Sequence, residues 1–282
     1  MMAATTPVAP FAGPQEAAAG TGHAHFGRLL LAEWTKLRSV RSTYWSLILL
    51  TVVFLVFSWV IPYAVSRNFS QASPTDQATL LDDPVSTIMG VGLGLGQLAI
   101  AVLGVMVTAS EYSTGMIRST LLASPHRTRT LAAKSVVFAV LVFVIGEILA
   151  FVAFLIGRQT LKSLLPVQLD GTALREVVGV GLYLAMLGVF SLVLGSLIRH
   201  VAGAITLNLG VLLVVSNLIQ LIPGKIGKYL YTYEPTTAGS AIVGRHQTAN
   251  FLITAWEGYA VFAAWTVVLW ILAAWLLARR DA

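Results

Sequence analysis

The chain of 282 residues contains no cysteine. That excludes disulfides, thiolate metal sites and cysteine nucleophiles, and it leaves the redox compartment open. Charge is scarce as well. Charged residues make up 11% of the sequence and hydrophobic residues 57%, whereas an ordinary soluble domain carries roughly 25% charged residues. A water-exposed surface cannot be built from this inventory, so lipid must solvate much of the chain. No phosphate-binding G-x-x-x-x-G-K-[ST] occurs; the nearest approach, "GKIGKY", lacks the spacing and the hydroxyl. H-E-x-x-H and G-x-S-x-G are missing too, and the histidines (23, 25, 126, 200 and 246) are scattered through tails and loops. Neither a metal site, a cofactor site nor a catalytic nucleophile emerges, so the expectation is no enzyme. The formal charge of +6 is dispersed between apolar runs, which argues against a nucleic-acid partner.

What the sequence has in abundance is hydrocarbon in long runs. A spanning helix needs about 20 mostly apolar residues. Six stretches qualify: Tyr44–Val65, Ile88–Ala109, Ala132–Ile156, Val177–Ile198, Val201–Ile222 and Tyr259–Ala278. Only Arg199 and His200 separate the fourth from the fifth, which predicts a tight hairpin. The fold expected is an all-α integral membrane protein of six transmembrane helices over residues 25–282. Residues 1–24, rich in Ala, Pro, Thr and Gly, are read as a disordered tail with neither the basic start nor the apolar core of a secretory signal.

An even number of spans places both termini on one side. With the termini inside, the inner segments hold Arg28, Lys36, Arg38, Arg41, Arg118, Arg127, Arg129, Lys134, Arg199, Arg279 and Arg280, eleven basic residues against seven outside. The positive-inside rule therefore favours cytoplasmic termini. Residues 110–131 then form a cytoplasmic connection between spans two and three, and residues 223–258 an extracellular one.

Two of the inner pieces look built for contact. In "FGRLLLAEWTKLRSV", Phe26, Leu29, Leu30, Trp34, Leu37 and Val40 share a face at helical spacing. This predicts an interfacial helix over about residues 26–41. Glu33 falls inside the apolar arc, where a carboxylate needs a partner: Lys36 or Arg38 on the same helix, or a cation on another segment. In "SEYSTGMIRSTLLASPHRTRTLAAK", the recurrence of Met116, Ile117, Thr120 and Leu121 predicts a short amphipathic helix over 112–123 continuing from span two. Ser124-Pro125 is a helix-start signal for span three. Basic and apolar together, this turn suits docking on another protein or anchoring at lipid headgroups.

With these residues in view, the chain resembles the membrane subunit of bacterial ATP-binding-cassette exporters of the type-two permease class. Glu111, Gly115, Leu121, Leu122, Pro125, Arg127, Ala133 and Lys134 stand where that family has its acid, glycine, paired leucines, proline, basic residues and alanine-lysine. "YLYTYEPTTAGSAI" is similar to the family's Pro-x-x-Ala-Gly segment. The resemblance implies a bacterial plasma-membrane exporter with an N-terminal interfacial helix, a cytoplasmic coupling helix and a re-entrant extracellular gate before the last span. It further implies a separate cassette ATPase subunit carrying the ATP and Mg, and a second permease subunit as a homodimer or a relative. A hydrophobic or amphipathic cargo is expected, as in multidrug efflux. Glu33, Glu111, Gly115, Met116, Ile117, Arg118, Leu121 and Pro125 would couple to the ATPase. Met116, Ile117 and Leu121 would fill its cleft, with Glu111 and Arg118 at the rim.

Inside the bilayer, span two carries Gly90, Gly94, Gln97, Ala101, Gly104 and Thr108 as a stripe of small and polar residues. Such stripes let helices approach closely, as internal packing or as a dimer seam or pathway wall. Gly181, Gly188 and Gly195 in span four are read as packing. Glu147 lies deep in span three, where a carboxylate is a functional candidate or a hydrogen-bonded structural group, with Asn208, Asn217 and Gln220 as candidate partners. An ion-gradient-driven secondary transporter and a non-transporting scaffold remain the alternatives.

Overall fold

The computed structural model describes residues 26–116, 127–244 and 252–279. All regular structure among them is helical, as lipid demands of a chain that cannot leave strand edges unpaired. Six helices are long and apolar enough to cross a membrane: Arg41–Gln71, Pro84–Ser113, Arg127–Leu161, Gly171–Ile198, Val201–Gln220 and Ala255–Arg279. They are called spans one to six. Five of them run beyond the apolar stretches, because hydropathy marks only the hydrocarbon depth while the intrahelical hydrogen bonds continue into polar residues.

The helix ends follow local chemistry. Asp83 caps span two by accepting the Ser86 N–H at 2.9 Å, with Pro84 in the first turn. Asp170 caps span four by accepting the Ala173 N–H at 2.7 Å. At the hairpin, Arg199 takes a left-handed φ of 57° to end span four. His200 then starts span five, its Nδ1 accepting the Gly203 N–H at 3.1 Å. Two residues thus close one helix and open the next, as their isolation between apolar runs predicts.

Spans two and four are the most buried and form the centre of the bundle, with the other spans packed around them. Their seam is made by missing side chains. A Cβ on Gly104 would lie 2.7 Å from the Gly188 carbonyl oxygen, and one on Gly195 would lie 2.7 Å from that of Val105. The Thr108 hydroxyl crosses the seam to the Leu192 carbonyl at 2.7 Å.

A leading helix, Phe26–Ser39, precedes span one and breaks at Val40, whose backbone is extended. It rests on span three. Glu33 and Leu37 are its buried residues, whereas Phe26, Trp34 and Val40 are exposed. The apolar arc is therefore wider than the face that docks. Between spans five and six lie two short helices, Gly224–Tyr233 and Pro235–Ser240. The second is packed into the bundle, with Gly239 against Phe262 of span six; just past its end, the Ile242 carbonyl oxygen would lie 2.7 Å from a Cβ on Gly179 of span four.

Candidate functional site

Glu33 of the leading helix, Glu111 at the end of span two and Lys134 in the first turns of span three converge at one end of the bundle, with Lys36 beside them. Lys134 Nζ donates to Glu33 Oε2 at 2.7 Å and to Glu111 Oε1 at 2.8 Å. Lys36 Nζ donates to Glu33 Oε1 at 3.0 Å and to Glu111 Oε1 at 3.1 Å. The four side chains close a ring of alternating sign with no net charge. The side chains of Glu33, Glu111 and Lys134 are only 5%, 5% and 6% exposed, and that of Lys36 30%. Burial alone would lower the pKa of the Lys36 ammonium. Attraction to Glu111 and Glu33, with hydrogen bonds to each, reverses this and raises it above the usual 10.5.

Both partners considered for Glu33 from spacing occur at once: Lys36 on its own helix and a cation on another segment, Lys134. Arg38 is not the partner. Glu111 departs from its expected place at the rim of a docking cleft. It is buried and held by two lysines, so it clasps the chain to itself.

The chain also departs from expectation just after Glu111. The helix of span two stops at Ser113, and Gly115 takes a φ of 71°. A side chain in that left-handed region is strained, which is the reason for glycine here. The amphipathic run beyond it is therefore not a continuation of span two. Met116 is exposed; Ile117, Arg118, Leu121 and Pro125 lie outside the described residues.

Around this connection the same end of the bundle is laced together. The Arg199 guanidinium sits 4.9 Å from the centre of the Tyr112 ring, joining the span four–five hairpin to span two. Arg127 Nη1 donates to the Leu277 carbonyl of span six at 3.0 Å. Trp270 Nε1 donates to Ser135 Oγ at 3.2 Å. Residues at both edges of the 117–126 stretch thus grip the leading helix, the hairpin and the last span.

The span-two stripe divides. Gly104 is buried in the seam with span four and Ala101 is buried, its carbonyl bonded by span five; Gly94 and Gln97 face a cavity nearer the other end. Asn208 is not a partner of Glu147. Its Nδ2 donates to the Ala101 carbonyl at 3.1 Å and to Ser191 Oγ at 2.9 Å, tying span five to spans two and four. Glu147 lies against Gly181 of span four, and its Oε1 has no hydrogen-bond partner among the described residues.

Lys36 and Lys134 are the members of the ring that fall outside the expected coupling residues. A signal for Lys134 exists: Glu111 lies two residues past one apolar stretch and Lys134 two residues into the next. In consecutive antiparallel spans those positions differ in depth by about 6 Å, a gap that a long Glu and a long Lys side chain can close. No protein-family model matches this sequence, and no curated protein matches it.

Proposed function

We propose that this chain is the permease subunit of an ATP-driven exporter of the cassette type, drawing its energy from an ATPase on another polypeptide. One observation carries the reading. The buried ring locks the leading helix to both arms that flank the 117–126 connection. A push on that connection would therefore move spans two and three and the leading helix as one body, and Arg127 would carry it to span six. A partner that closes on ATP supplies such a push. The bilayer, a second permease subunit and the ATPase complete the assembly, with the termini cytoplasmic and Met116, Ile117 and Leu121 as apolar anchors. In this reading the chain holds no nucleotide or metal of its own, and ATP and Mg belong to the partner.

The test is to purify the tagged chain from its native membrane and assay the co-purifying complex. Vanadate-sensitive ATP hydrolysis that is lost in Glu33→Gln/Glu111→Gln, with the chain still inserted, is the expected result. Uptake into vesicles that follows an imposed proton gradient without ATP would replace the reading with an ion-driven transporter. Two features favour that second reading: a Glu147 oxygen without a hydrogen-bond partner among the described residues, and the π-helical turn Val211–Val215 that interrupts span five.

A further inference from the structure

The cavity beside span two is the feature of this molecule that the charge ring leaves unused. It lies among spans two, four and five and the short helix Pro235–Ser240, with a volume of about 270 Å³. That is just below the range for sites that hold organic ligands, roughly 300–1,000 Å³. Its walls are of two kinds. Hydrocarbon comes from Leu93, Leu212 and Val243, with bare backbone at Gly90 and Gly94. Uncharged hydrogen-bonding groups come from Ser86, Gln97, Tyr183, Ser216, Thr236 and Thr237.

Some of these groups are already engaged. The Tyr183 hydroxyl donates to Gln97 Oε1 at 2.6 Å, and Gln97 Nε2 donates to the Gly94 carbonyl at 3.1 Å. Thr236 Oγ1 donates to Glu234 at 2.8 Å. Thr237 is different. It is 7% exposed and its N–H is bonded to Glu234, yet its hydroxyl makes no hydrogen bond to any described residue. The Ser86 hydroxyl is likewise without a bond to any described residue. Ser86 is half-buried, and both hydroxyls are open to a hydrogen-bonding group placed in the cavity.

No Asp, Glu, Lys, Arg or His is among the described residues that line the space. Glu234 and Arg175 are bonded to residues of the wall, although Arg175 Nε is buried without a hydrogen-bond partner among the described residues. Glu234 caps the short helix through the Thr237 N–H at 2.6 Å. Arg175 Nη2 bonds Glu176 Oε1 at 3.3 Å and the Gly244 carbonyl at 3.0 Å. An ionic ligand here would leave water without a counter-charge to meet it, and that is far more costly than burying a neutral polar group.

We propose that this cavity binds an uncharged solute with an apolar portion and a compact hydroxyl- or amide-bearing head. The apolar portion would lie on Leu93 and Leu212, and the head would pair with Thr237, Ser86 and the remaining Gln97 N–H. The proposal rests on reading the chain as a transporter and narrows its cargo from hydrophobic compounds at large to neutral amphipaths.

The absence of native cysteine permits a direct test. Gly94→Cys puts a thiol in the cavity at a position where a Cβ meets nothing within 4 Å. In nanodiscs without any ATPase, its reaction rate with N-ethylmaleimide is measured against octyl glucoside, octylammonium and octanoate, each below its micellar concentration. Octyl glucoside is expected to slow modification at least about threefold, and the two ions to leave it unchanged. Adding Thr237→Val should weaken protection by the glucoside roughly three- to tenfold, the effect of one lost hydrogen bond. Equal protection by all three probes, stronger protection by an ion, or none by the glucoside overturns the proposal. So does a thiol that fails to react without any probe, since the cavity would then be closed to solutes. Because binding is read without the ATPase, these outcomes bear on the cargo and leave the energy source to the co-purification test.

Discussion

At the scale of single residues, the energetics turn on how each charge in the ring is neutralised. Removing one partner of a buried ion pair typically costs about 3–5 kcal/mol, because the other charge stays buried and unpaired. Lys134→Met should therefore lower stability by roughly that amount. Glu33→Gln combined with Lys134→Met leaves Glu111 with Lys36, so the double variant should cost less than the sum of the two singles. A double-mutant cycle on thermal unfolding in detergent checks this, and strict additivity would show that the contacts carry no coupling. The raised pKa of Lys36 gives the pH dependence its sign. A base whose pKa is higher in the folded state stabilises the fold fully below its unfolded value, here the ordinary 10.5, and loses that contribution as pH rises through the folded value. Unfolding temperatures of the wild type should thus begin to fall above about pH 10.5, and Lys36→Met should blunt that fall. A wild type and variant with parallel profiles would assign the alkaline loss to other groups. The need of Glu33 for a partner was legible from the helical arc alone. The identity of its deepest partner was not, since spacing on one helix reaches Lys36 and says nothing of a lysine 101 residues away.

At the scale of elements, the spans were legible because composition and length suffice to mark a helix that crosses lipid. Two details were hidden for physical reasons. The periodicity of Met116, Ile117, Thr120 and Leu121 has the same form whether or not a single left-handed residue precedes it, so the break at Gly115 left no trace in the pattern. Gly115→Ala should destabilise this turn by about 1–2 kcal/mol. Faster amide exchange in Tyr112 to Met116, with the rest of span two unchanged, would show it. The stripe on span two also reads as uniform, yet its glycines meet different surroundings. Gly104→Val would press a side chain onto the Gly188 carbonyl and Ser191, and should cost about 1–3 kcal/mol. Gly94→Ala has open space and gains helix propensity, so it should be neutral or slightly stabilising. Equal losses in the two variants, measured as unfolding midpoints, would contradict the division of the stripe into seam and cavity wall.

At the scale of the whole molecule, the number of helices long and apolar enough to cross a membrane was readable from the sequence, whereas the lacing of one end depends on contacts between distant segments. The orientation of the bundle has its own test. Met116 and Ser163 are exposed at opposite ends. In intact cells Ser163→Cys should react with an impermeant maleimide and Met116→Cys should resist it, and the reverse pattern would invert the topology. The charge ring also imposes a sequence of events on synthesis. Glu33 emerges from the ribosome long before Lys134, and in the interval only Lys36 is near enough to neutralise it. The leading helix is then free to lift from the bilayer, and it settles only when the third span has entered. A nascent chain stalled between residues 111 and 134 would hold both acids of the ring and only one of its two bases. Ring closure is thus a chemical record that half the bundle has been inserted, written before the last span is made.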